Sequence, residues 1–206
     1  MYICSVRKTK EDTEKTIDDL LDSAISLFIK QGYSAVTLEQ IATKIGMTRG
    51  AFYHHFHSKD DILNAVIKRE RNSFENKLAE LFKEKLEPKE HLKKILDHIV
   101  TNFFENKRFN RFIHFTWFKI ESGYLDNKFF YQGATNERLV IELDAIIKRG
   151  QKKGIFKKDA LSVILALEIT SSILGMYRLY FQSKKYMTQK NGEAMMKNFI
   201  KTISIK

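Results

Sequence analysis

One cysteine, one proline and nine glycines are all that 206 residues hold of those three types. A lone thiol, Cys4, excludes an intramolecular disulfide framework and a zinc site built from several thiolates. The scarcity of proline and glycine removes the turn chemistry that many short strands need, and favours long helices. No internal repeat and no low-complexity tract is present. The opening "MYICSVRKTK" has too short an apolar stretch for a secretory signal, and its basic cluster lies on the wrong side. A reducing, cytoplasmic location is the expectation.

Apolar residues make up 43% of the chain, enough for a core, and charged residues 30%. Lysine and arginine outnumber the acids 36 to 25, a net charge of +11. That balance favours polyanions in general. Residues 1–60, however, hold eight basic and eight acidic side chains, so the excess lies downstream. Where individual charges sit matters more than their sum.

Apolar positions follow a helical period almost throughout. From Ile17, the residues Leu20, Leu21, Ala24, Ile25 and Phe28 fall on one face, and Gly32 suits a left-handed stop. Thr37 followed by Gln40 reads as a capping box for a helix that buries Leu38, Ile41, Ala42 and Ile45 and ends at Gly46. Thr48 can cap a short helix through Arg49, Ala51, Phe52 and Tyr53. Ser58 can cap another, with Asp60 and Asp61 at the positive end of its dipole. Beyond Pro88, helices are expected near 89–106, 108–122, 134–153, 159–182 and 188–204. The fold class is therefore all-α. An N-terminal three-helix helix-turn-helix domain is expected over 7–60, a connecting helix over 58–85 and a larger helical domain over 86–206.

Two short helices around Gly46 meet the needs of a helix-turn-helix, with Ala42 at the crossing and Ile41, Ile45, Met47 and Phe52 between them. An ordinary helical hairpin fits the same apolar positions. The polar residues favour DNA. Thr48 and Arg49 open the second helix, where base edges would lie, and Tyr53 and His54 follow one turn later. Lys59 and Thr37 stand at helix starts suited to phosphates. Arg7, Lys8 and Lys10 form a basic arm ahead of the first helix, suited to the minor groove or the backbone.

The run "GYSAVTLEQIATKIGMTRGAFYHHFHSKDDILNAVI" resembles the DNA-binding domain of the TetR family of bacterial transcriptional regulators. Within it the likeness is to AcrR-type multidrug-efflux repressors, through "RKTKED" and "MTRGAFYHHF". The resemblance covers about residues 7–70 and weakens beyond. It implies a homodimer that binds a DNA operator and is released by a small molecule held in the C-terminal domain. By position, Thr37, Thr48, Arg49, Gly50, Tyr53, His54 and Lys59 become DNA contacts. It also implies a pocket lined by the fourth, sixth and eighth helices, with Ile67, Arg71, Phe74, Ile113, Trp117 and Leu174 as candidates. Arg71, if inward, would suit an anionic or hydrogen-bonding ligand.

Between Phe103 and Tyr131 stand eleven aromatic residues. A packed core accounts for most of them, and an aromatic-walled pocket for a lipophilic molecule uses the same residue types. A zinc site from His54 and His57 would lack a third ligand, and no serine or carboxylate partner suggests catalysis, so neither metal nor cofactor is expected and the chain does not read as an enzyme. The run 161–177 is apolar but short for a membrane span and carries Glu168 near its centre. It fits a helix buried on two fronts, in its own domain and against a second copy, with Met195, Met196, Phe199 and Ile200 completing a four-helix interface. A ligand-responsive repressor, with an efflux gene as target, is the expected function. The rival is a small-molecule-binding or enzymatic helical protein whose N-terminal hairpin is purely structural.

Overall fold

The computed structural model describes residues 10–121 and 135–205, with the side chains of 10–13, 117–121 and 135 outside the description. Arg7 and Lys8, the side chains of Trp117 and Phe118, and the aromatic residues from Tyr124 to Tyr131 therefore lie outside the description. The described elements run α1 (Lys10–Gln31), α2 (Leu38–Lys44), α3 (Arg49–Tyr53), α4 (Lys59–Phe82), α5 (Pro88–Glu105), α6 (Lys107–Glu121), α7 (Thr135–Lys152), α8 (Ser162–Gln182) and α9 (Gln189–Ile203). Extended pairing among them is limited to one antiparallel bridge between Phe156 and Ser204. The fold is all-α.

The chain divides into two compact units, residues 1–71 and 72–206. The division falls inside α4, within the connecting helix expected over 58–85. In one respect the sequence pattern misleads. The apolar period starts at Ile17, but α1 begins at Lys10, so Lys10 belongs to the helix and not to an arm ahead of it. Acidic residues near a helix start favour that longer helix through its dipole, a signal that apolar spacing does not carry.

In the first unit, the core is α1's stripe of Leu20, Leu21, Ala24, Ile25 and Phe28 against Ile41 and Ala42 of α2, Phe52 of α3, Phe56, and Ile62, Leu63 and Val66 of α4; all are buried. Burying each large apolar side chain contributes about 1.5–3 kcal/mol before entropy is counted. Gly32 and Gly46 take φ of +85° and +67°, the left-handed turns that end α1 and link α2 to α3. The start of α4 is locked by Ser58, whose Oγ accepts from Asp61 N at 3.0 Å while Asp61 Oδ2 accepts from Ser58 N and His57 N.

In the second unit, α5 packs against α6, α7 and α9, and α8 packs against α7 and α9. Leu92, Ile95, Leu96, Ile99, Val100 and Phe103 of α5 are buried at its centre. His91 is buried among them with both ring nitrogens satisfied. Its Nε2 bonds the Leu81 carbonyl at 2.8 Å, and its Nδ1 accepts from Arg149 at 3.0 Å. A single residue, Asn106, joins α5 to α6. Its Oδ1 accepts from Arg108 N and Phe109 N, and its Nδ2 donates back to Asn102 Oδ1 at 3.2 Å. Phe156 is fully buried against Gly150, where α7 leaves room for the ring by having no Cβ.

By length and composition α8 is apolar enough to cross a membrane. It carries two different faces. Leu165, Ala166, Ile169, Ile173, Met176 and Tyr177 are buried within the unit. Ile164, Leu167 and Leu179 are 44%, 45% and 48% exposed, and Glu168 and Ser171 lie exposed between them. These positions recur at helical spacing and leave one apolar stripe uncovered.

Candidate nucleic-acid interface

The site is built from two capped helix starts. Thr37 Oγ1 accepts from Gln40 N at 3.2 Å and Gln40 Oε1 accepts from Thr37 N at 2.8 Å, a reciprocal capping box at the start of α2. Thr48 Oγ1 accepts from Ala51 N at 3.3 Å and caps α3. Both threonines are exposed, and a hydroxyl that accepts at its cap can still donate outward.

Helix α3 buries only Phe52. That ring holds the helix down, lying edge-on to Tyr53 with centroids 5.7 Å apart. Thr48, Arg49, Gly50, Ala51 and His54 are exposed and Tyr53 is half-buried. A helix this short gains little from its own hydrogen bonds, so its position depends on Phe52 and on the caps. His54 closes α3 as its C-cap.

Arg49 and Tyr53 meet at a residue the sequence pattern does not single out. Glu39 of α2 stands 3.7 Å from Arg49 Nη2 and accepts from the Tyr53 hydroxyl at 3.4 Å. The Arg49 guanidinium lies 5.5 Å from the centre of the Tyr53 ring. A small cleft of about 90 Å³ runs along these residues, floored by Leu38, Ala42 and Phe52. No local spacing could have found this triangle, because its corners lie on two helices.

Lys59 has a second occupation. Its ammonium donates to the carbonyls of Tyr33 and Ser34 at 3.0 and 3.1 Å and lies 4.9 Å from the Tyr33 ring centre. Tyr33 in turn donates to Asp60. Burial, aided by that carboxylate, pushes the Tyr33 phenol well above its usual range. Together Lys59, Asp60 and Tyr33 fasten the start of α4 to the turn after α1. Asp60 alone reads as a dipole partner; the bond to Tyr33 spans 27 residues and has no local signature.

His54 and His55 stand with ring centroids 5.5 Å apart, and His55 is half-buried. Both border a cleft of about 490 Å³ shared with Thr16, Asp19, Met47 and Thr48. His57 is exposed. Among the described residues no three histidine, cysteine or acidic side chains are placed to hold a metal ion.

The residues expected to line a ligand pocket are distributed between the units. Ile67 and Arg71 belong to the first, and Phe74, Ile113 and Leu174 to the second. Ile67 is buried, and Arg71, Phe74, Ile113 and Leu174 are half-buried. Phe74 stacks on Phe109 with centroids 4.7 Å apart and on His98 at 6.2 Å. Phe103 stacks on the buried Tyr177 at 4.2 Å, so much of the described aromatic run is core.

Residues 20–66 match the family of bacterial regulatory proteins, tetR family. The chain is 48% identical over 61 residues to the HTH-type transcriptional regulator SrpR of Pseudomonas putida, a match covering 30% of this chain and 29% of that protein. It is 36% identical over 103 residues to the HTH-type transcriptional regulator AcrR of Shigella flexneri, covering 50% of this chain and 48% of that one. The chain thus spans less than half the length of these two relatives. Over the whole fold it is similar to SmeT in complex with triclosan, with a TM-score of 0.77, 21% identity and 93% of each chain covered. SmeT is described as the repressor of the Stenotrophomonas maltophilia multidrug efflux pump SmeDEF. Residues 20–66, with the capped α2 and α3, thus form a helix-turn-helix domain of the tetR family of bacterial regulatory proteins.

Proposed function

We propose that the chain is a transcriptional repressor that grips an operator in double-stranded DNA as a homodimer and releases it when a small lipophilic effector binds. The observation that carries this reading is the economy of α3, which buries one residue and turns Thr48, Arg49 and Gly50 outward at its start. Recognition helices present their N-terminal residues to base edges in this way. Thr37 and Thr48 would donate to phosphates, Tyr53 to the backbone, and Lys59 through the one ammonium proton that Tyr33 and Ser34 leave unused. His54 would lie beside the duplex, and Arg7 and Lys8 would follow it as a basic arm.

The uncovered stripe of α8, with Ile164, Leu167 and Leu179, is the proposed contact with a second copy. Two copies would set two α3 helices into successive major grooves of a palindromic operator. In the second unit, Phe74, Ile113, Leu174 and Trp117 are the proposed apolar lining for the effector. That SmeT binds triclosan and represses an efflux pump supports a lipophilic effector and an efflux gene as target. Effector binding must favour a conformation with lower operator affinity, since a ligand shifts only equilibria it distinguishes.

Fluorescence anisotropy with duplexes taken from the DNA flanking the protein's own gene tests the proposal. Arg49→Ala should weaken binding by about 1–3 kcal/mol, the worth of one base-reading arginine. Tyr53→Phe should weaken it less. Binding of both variants at wild-type strength would remove α3 from the reading role.

A further inference from the structure

Among the described residues lining the cleft beside Arg49 and Tyr53, Glu39 is the one acid, and its position asks for a reason. As a brace it is poor. The Arg49 and Glu39 side chains are 75% and 51% exposed and 3.7 Å apart, and such surface pairs contribute roughly 0–1 kcal/mol. Its bond to the Tyr53 hydroxyl, at 3.4 Å, is long. Against DNA a carboxylate here is a cost, because it opposes the single charge of α3 and brings a negative charge towards a polyanion. The arrangement makes sense if Glu39 finds a hydrogen-bond donor on the duplex.

We infer that Glu39 is a base-reading residue that accepts a hydrogen bond from the exocyclic amino group of a cytosine in the major groove, beside the base edge or phosphate taken by Arg49. The inference rests on the DNA-binding reading above. A carboxylate only accepts. It matches cytosine, whose N4 amino group donates, whereas adenine sets the N7 lone pair beside its amino group and is better met by an amide. A duplex without that cytosine meets a carboxylate that no base donor satisfies, held beside Arg49 and close to the phosphates. The same residue that selects one base therefore suppresses binding to all other sequences.

The test is selection from a random duplex library by the full-length wild type, Glu39→Ala and Glu39→Gln, followed by anisotropy on selected and scrambled duplexes. The wild-type motif should contain a cytosine in each half-site. Glu39→Ala should lose that preference, keep the rest of the motif, and bind scrambled duplex about three- to tenfold more tightly, as expected when a charge opposing phosphate is removed. Glu39→Gln, nearly identical in shape, should shift the position towards adenine. The capping box uses Thr37 and Gln40, so both variants should keep the wild-type circular dichroism. Selection of an unchanged motif by both variants would overturn the inference and leave Glu39 as a counter-ion. A wild type that selects no motif would instead overturn the DNA-binding reading itself.

Discussion

Arg69 of α4 donates to Asp22 of α1 at 2.8 Å, an ion pair that joins residues 47 positions apart within the first unit. The same guanidinium reaches Asp18 at 3.1 Å and Glu70 at 2.7 Å. Burial works to lower the arginine's proton affinity, and the carboxylates of Glu70 and Asp22 overcome it, so the guanidinium is held even more firmly charged than usual. Glu70 is 5% exposed.

Arg69→Ala should therefore cost far more than a surface charge. It leaves the Glu70 carboxylate buried without its guanidinium, and breaking a buried pair on one side costs about 3–5 kcal/mol. Asp18 and Asp22 are partly exposed and should relax into water. Urea denaturation should show a clear fall in midpoint; a change below about 1 kcal/mol would mean that the pair does not hold α4 to α1.

Gly150→Ala sets two effects against each other. Alanine in a helix is favoured over glycine by about 1 kcal/mol. The added methyl would meet the Phe156 ring at its Cδ2 and lie 2.5 Å from its Cε2, and that ring is fully buried with nowhere to go. Overpacking of this kind costs about 1–3 kcal/mol or more, so the clash should win and thermal stability should fall. A rise in melting temperature would show that Phe156 moves freely.

Acid should destabilise the protein before its carboxylates titrate. His98 resists protonation because it is half-buried and near Lys77, and His114 because it is half-buried and near Lys184. In the unfolded chain both would take a proton as pH falls through about 6.5. Folded, they take it only at lower pH. The unfolded state then binds more protons, and stability is lost as pH drops through that window. Melting temperatures between pH 7.5 and 5.5 should fall for the wild type and fall less for His98→Gln/His114→Gln. Equal slopes would assign the effect to other groups.

Leu167→Glu puts a charge into the uncovered stripe of α8 without touching the core of its own unit. Light scattering after gel filtration should report a dimer for the wild type and a monomer for the variant, with unchanged helical circular dichroism. A variant that remains dimeric would move the interface elsewhere.

Chemistry confined to one turn of chain was legible in the sequence. The caps at Thr37, Thr48 and Ser58 could be read because a capping residue and its partner lie three positions apart. The stripe from Leu20 to Phe28 was legible for the same reason. What escaped was chemistry closed through space. Glu39 meets Tyr53 across 14 residues, Lys59 meets Tyr33 across 26, and Arg69 meets Asp18 across 51. No periodicity links such pairs, and each matters to how the site is held or presented. The early start of α1 has no apolar signature for a related reason: its first turns are polar and show no apolar rhythm.

The junction at Asn106 has a mechanical meaning. Its amide oxygen seats the first turn of α6 while its amide nitrogen is moored to Asn102, one turn back in α5. With a single residue between the helices, and both ends of its side chain engaged, the joint has no slack. A tilt imposed on α6 cannot be absorbed as loop motion. It is opposed by the asparagine's bonds and so is passed in part to α5, which makes this side chain the elbow between the two helices.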